Sequence, residues 1–104
     1  MKKIFILEVE EPAELLREAI GRLGRDDLEV ITWNKLDGVI PQVDLYLLHL
    51  GLIDDTQLDY LIKDHPSAKV RVTYRAGEVF VPRRFKSLYY DYDDANRVIA
   101  EGIK

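Results

Sequence analysis

Apolar and polar positions alternate along this chain with distinct periods, and each period predicts an element. Ile4-Phe5-Ile6-Leu7 and Leu45-Tyr46-Leu47-Leu48 are unbroken apolar runs. Strands that read this way are buried on both faces, as in a parallel sheet. Leu28 to Trp33 alternates, with Leu28, Val30 and Thr32 on one face and Ile31 and Trp33 on the other. In Ala68 to Tyr74, Val70, Val72 and Tyr74 alternate with Lys69, Arg71 and Thr73, which implies one wet face and hence a sheet edge or a hairpin. Leu15, Leu16, Ala19, Ile20 and Leu23 recur at helical spacing and predict a first helix. Pro12 suits its first turn, Glu11, Glu14 and Arg22 suit its dipole, and Gly24 is its stop. Asp54 or Asp55 caps a second helix with the stripe Leu58, Leu61 and Ile62, ended by His65-Pro66. Asp93 caps a third that buries Ala95, Val98, Ile99 and Ile103.

Turn residues separate these elements. Asn34 to Gln42 holds Asn, Asp-Gly and Pro41 and reads as a loop, with a helical turn expected around Leu36 and Val39-Ile40. Ala76-Gly77-Glu78 is a turn, and Val79-Phe80-Val81 a short strand stopped by Pro82. That strand either hairpins onto the one before it or joins the sheet in parallel. A parallel crossover needs a dozen or more residues, so antiparallel pairing is expected. Arg83 to Tyr92 is a loop with an extended piece at Leu88-Tyr89-Tyr90. The order is that of a three-layer α/β/α sandwich with a mainly parallel sheet, shortened in its C-terminal half and carrying one antiparallel pair. Length agrees: 104 residues suffice for one α/β domain spanning 1–104 and not for two.

Composition narrows the function classes. With 47% apolar and 33% charged residues the chain is an ordinary globular sequence. No run approaches the roughly 18 apolar residues of a membrane span, and the N-terminal apolar run is too short for a signal peptide. The absence of cysteine removes disulfide and thiolate chemistry and fits a cytoplasmic location. A net charge of −4 argues against broad nucleic-acid or anionic-membrane binding. No phosphate-binding glycine loop follows the first strand, and no nucleophile elbow occurs.

Candidate chemistry gathers at the strand ends. In open α/β sheets ligands bind beyond the carboxyl ends of the strands. His49 interrupts the apolar run there, and Glu8, Glu10, Asp54 and Asp55 stand beside neighbouring ends. Such a set suits a metal ligand or general base; the simpler reading, which is favoured, is a partly buried histidine that hydrogen-bonds the backbone at the turn. The acidic residues Glu8, Glu10, Glu11 and Glu14 could hold a cation or form a solvated helix start; a hard-cation site needs several converging oxygens. Arg83, Arg84 and Lys86, interleaved with Phe85, Tyr89, Tyr90 and Tyr92, form the densest basic-aromatic cluster. It reads either as a surface for a phosphate-bearing ligand or a protein partner, or as aromatics covering the core with cations left in solvent.

Three stretches resemble the receiver domains of bacterial response regulators. Ile4 to Pro12 with Leu15 to Ile20 is similar to that family's opening strand, acidic loop and first helix. Asp44 to Leu52 is similar to its third strand and phospho-acceptor turn, and His65 to Thr73 to the run into its fourth strand. The resemblance implies a flavodoxin-like fold with Thr73 in the place of the switch residue. It also implies losses. His49 stands where the family has its phosphorylated aspartate, only one carboxylate of the magnesium-binding pair remains among Glu8, Val9 and Glu10, and Val81-Pro82-Arg83 lacks the lysine before the proline.

The expected function is therefore a non-catalytic, cytoplasmic, receiver-like interaction domain that is not phosphorylated on the usual aspartate. It would bind a protein partner or itself, a homodimer through the strand-four edge being one form, with no cofactor. Two alternatives stay open: a small enzyme or a ligand or metal sensor built on His49, and nucleotide or RNA binding through the Arg83 to Tyr92 loop.

Overall fold

The computed structural model describes residues 1–74 and 81–104. Strand β1 (Lys2–Leu7) leads into helix α1 (Glu10–Gly21), then β2 (Leu28–Trp33), β3 (Leu45–His49), α2 (Asp55–Asp64) and β4 (Lys69–Thr73). Two 3₁₀ segments, Arg83–Leu88 and Tyr92–Asp94, precede α3 (Ala95–Gly102). The strands form a 4-stranded sheet in the order β2-β1-β3-β4, parallel throughout. The apolar runs of β1 and β3 take its two central places, where burial on both faces is needed. No helix among the described residues is long and apolar enough to cross a membrane.

Successive side chains of a strand point to opposite faces, and β1 divides its residues accordingly. Ile4 and Ile6 join Leu45 and Leu47 in a core with Ala13, Leu16, Ala19 and Ile20 of α1 and Val98 and Ile99 of α3. Phe5 and Leu7 join Tyr46 and Leu48 in a second core with Leu58 and Leu61 of α2 and with Phe85. The ring of Phe5 meets Trp33 and Tyr46 edge-on, at 5.0 and 5.9 Å, a favourable arrangement for aromatic quadrupoles.

Local sequence explains the helix ends. Asp54 accepts a hydrogen bond from the Gln57 N–H while Gln57 Oε1 accepts one from the Asp54 N–H, so α2 opens on a full capping box. The turn from β3 into this helix passes through Gly51 at φ 123°, which only glycine adopts readily.

Some expectations are corrected. Leu15, expected in the apolar stripe of α1, is exposed; Ala13 fills that place, because the buried face runs through residues 13, 16 and 20. Asp93 does not cap α3. Asp91 instead accepts a hydrogen bond from the Asp93 N–H and caps the short segment before it. Leu36, Val39 and Ile40 form no helical turn. The turn at 76–78 and most of the strand expected at 79–81, with its antiparallel pairing, lie outside the described residues. What lies against the outer side of β4 is the expected extended piece: Tyr89 bridges Val72 in parallel, and the Tyr90 N–H donates to the Val72 carbonyl at 3.0 Å. Arg71 adds hydrogen bonds to the carbonyls of Leu88 and Tyr89. The β4 edge pictured as open for self-pairing is thus partly occupied by the chain's own backbone.

Candidate functional site

Register and alternation assemble a polar cluster at the carboxyl end of the sheet. Leu7 pairs with Leu48, so Glu8 follows one place on beside His49, and His49 pairs with Thr73. Glu8 and His49 continue the faces of Ile6 and Leu47, which belong to the α1–α3 core. Val72 belongs to the other core, so Thr73 shares their face. A carboxylate, an imidazole and a hydroxyl from adjacent strands therefore stand in a row. All are buried, at 1% exposure for Glu8, 4% for His49 and 2% for Thr73.

Glu8 is the hub. Its Oε1 lies 3.1 Å from His49 Nδ1 and accepts a hydrogen bond from the Val9 N–H at 3.0 Å. Its Oε2 accepts from Thr73 Oγ1 at 3.0 Å and from Tyr92 OH at 2.7 Å. His49 Nδ1 is also 3.4 Å from Thr73 Oγ1, and the two hydroxyls are 3.1 Å apart. A carboxylate only accepts, so the close contact with Oε1 assigns a proton to Nδ1. Burial is the strongest influence on Glu8 and raises its pKa. The hydrogen bonds from His49, Tyr92 and Val9, with the charge of His49, outweigh it and hold the carboxyl below its ordinary value.

Tyr90 stands beside this cluster, its ring 6.1 Å from that of Tyr92. Its buried hydroxyl has no hydrogen-bond partner among the described residues. Burial, then the neighbouring Glu8 and Tyr92, push its pKa far up, so the phenol stays neutral.

The other sequence candidates go elsewhere. Glu10 is exposed in the first turn of α1, and Asp54 caps α2. Arg84 pairs with Asp59 at 2.7 Å and lies 4.5 Å over the ring of Phe85. Arg83 and Lys86 are exposed, and Tyr89 packs its ring on Tyr74 at 4.8 Å. The basic-aromatic cluster is thus divided: Phe85 and Tyr90 join the two cores, while the cations stay at the surface. Among the described residues no group of three or more His, Asp or Glu is arranged to hold a metal ion. Tyr92 is the member of the site that strand-end reasoning missed, since it arrives from the segment before α3. The signal available was its place among the aromatics that return to the sheet.

A groove of about 620 Å³ opens beside Glu8 at the ends of β1 and β2, lined also by Arg17, Trp33, Lys35 and Asp37. No family model matches the chain, and neither a curated protein nor a solved structure is significantly similar to it.

Proposed function

We propose that this chain is a cytoplasmic, receiver-like interaction domain, a three-layer α/β/α sandwich whose phosphate-accepting site has been replaced by an internal hydrogen-bond network. The observation that carries this reading is the saturation of Glu8: both oxygens of the one strand-end carboxylate are engaged by His49, Val9, Thr73 and Tyr92. A hard cation needs several free oxygens, and His49 offers an imidazole where the receiver family's phosphorylated aspartate would stand. Held together by its own donors, the network fixes the strand ends in one arrangement. The domain then acts by presenting a surface rather than by switching.

The test is incubation with acetyl phosphate and magnesium, read by intact mass and by the amide NMR spectrum. The reading expects no phosphate adduct and no change at Glu8, His49 or Thr73, with the same result for His49→Asn. An adduct, or magnesium-dependent shifts centred on Glu8, overturns it.

The polar groove beside Glu8 favours a second reading, a small-ligand sensor. Zinc-induced shifts or manganese broadening of the His49 ring signals together with those of Trp33 would support that reading over the first.

A further inference from the structure

The loop between β2 and β3 and the adjoining face of α2 enclose a groove of about 610 Å³ with apolar walls from Leu36, Val39, Ile40, Tyr60 and Leu61. Val39 is 92% exposed and Tyr60 62% exposed. Gly38, at φ 82°, turns the chain so that Val39 faces outward while Leu36 and Ile40 pack against the core beneath. A loop that packs Leu36 and Ile40 inward and holds a valine in water beside an exposed tyrosine is the kind of patch that marks a docking site. Tyrosine is also among the residues enriched at binding hot spots.

Charge identifies the occupant. Asp64 is the carboxylate in the lining, His65 beside it is the one imidazole there, and no lysine or arginine lines the groove among the described residues. Asp64 is also the last residue of α2, where the unpaired carbonyls already make the potential negative. An acid is locally unfavourable there, and a cation from outside relieves both sources of negative potential. Lys63 next to it is exposed and does not line the groove. A two-fold dimer through this face apposes the same surface twice, so a second copy brings no lysine or arginine of the groove to Asp64, only the imidazole of His65.

We propose that this groove binds an amphipathic segment of another protein, with an apolar side chain seated between Val39 and Tyr60 and a lysine or arginine on Asp64. The proposal rests on the interaction-domain reading and names its partner's chemistry.

The test titrates the ¹⁵N-labelled full chain with a synthetic amphipathic Leu/Lys peptide and with the same peptide carrying Glu for each Lys. The expected result is amide shifts at Val39, Ile40, Tyr60 and Leu61 for the cationic peptide alone. Val39→Asp and Asp64→Lys should each weaken it by about tenfold or more, and Asp64→Lys should gain affinity for the acidic peptide. Shifts centred on Glu11, Glu14 and Glu18 of α1, equal binding by Asp64→Lys, or no shift at all overturn the proposal. So does concentration-dependent dimerisation abolished by Val39→Asp, which would make a second copy the occupant. Binding at another face overturns the groove and leaves the interaction-domain reading standing; phosphate uptake at His49 overturns that reading instead.

Discussion

Glu8 and His49 come from the ends of adjacent strands and meet at 3.1 Å with both side chains almost wholly out of solvent. Their closeness follows from β1–β3 register, and what it costs to disturb them follows from burial. Removing one partner of a buried pair typically costs about 3–5 kcal/mol, because the other is left uncompensated. Glu8→Ala and His49→Ala are expected to fall in or just below that range in urea unfolding. His49→Asn keeps a donor and should lose roughly half as much. A loss under about 0.5 kcal/mol for either alanine variant, the scale of an ordinary surface change, would show that the pair is not held as described.

The same carboxyl predicts how stability depends on pH. Glu8 is held below its ordinary value of 4.5 in the folded chain. A depressed carboxyl binds protons more weakly when folded, so its stabilising contribution is complete above the unfolded pKa and is lost as pH falls through the folded one. Urea midpoints of the wild-type chain should therefore drop more steeply below about pH 4.5 than those of Glu8→Gln. Parallel curves for the two proteins would contradict the assignment.

Tyr90 makes the opposite kind of prediction. Its hydroxyl is buried and has no partner among the described residues, and a group so placed carries a desolvation penalty of about 1–3 kcal/mol. Tyr90→Phe removes the oxygen and keeps the ring in the α1–α3 core. The variant should be as stable as the parent or up to about 1 kcal/mol more stable. A clear loss in melting temperature would show that the hydroxyl makes a stabilising hydrogen bond and overturn the prediction.

Gly102 tests the packing of α3. A Cβ built there would lie 2.7 Å from Cδ1 of Leu45, which is fully buried. Alanine is worth about 1 kcal/mol over glycine in a helix, but overpacking costs about 1–3 kcal/mol. Gly102→Ala should therefore destabilise by roughly 1 kcal/mol. Adding Leu45→Val, which withdraws both clashing methyl carbons, should cost less than the sum of the two single losses; additive losses would show that the two residues do not touch.

Much of the framework was legible because the strands that matter most have the least ambiguous pattern. Ile4 to Leu7 and Leu45 to Leu48 admit burial on both faces and little else. Asp54 with Gln57 is a local capping signal that needs no tertiary information. His49 could be singled out as the polar residue ending a buried run, and Glu8 as its neighbour across the strand ends. The further step, that Glu8, His49 and Thr73 share one face, depends on register, and register is set by pairing that no single strand encodes. Tyr92 was out of reach for a related reason: its position beside Glu8 depends on how the segment after β4 returns to the sheet. Leu15 and Ala13 show a smaller failure, since a helical stripe read from hydrophobicity alone favours the larger side chain over the one that fits.

The bond from Tyr92 to Glu8 joins residues 84 positions apart. During synthesis, β1 and its carboxylate therefore leave the ribosome long before the hydroxyl that completes their hydrogen bonding. In the interval the Glu8 side chain must stay hydrated or be protected by His49 and Thr73, which emerge sooner. Closing so long a loop is slow relative to local helix and turn formation. A contact of this separation is expected to form late in folding, and the prediction is that Tyr92→Phe raises the unfolding rate more than it lowers the refolding rate, read from the two arms of a chevron.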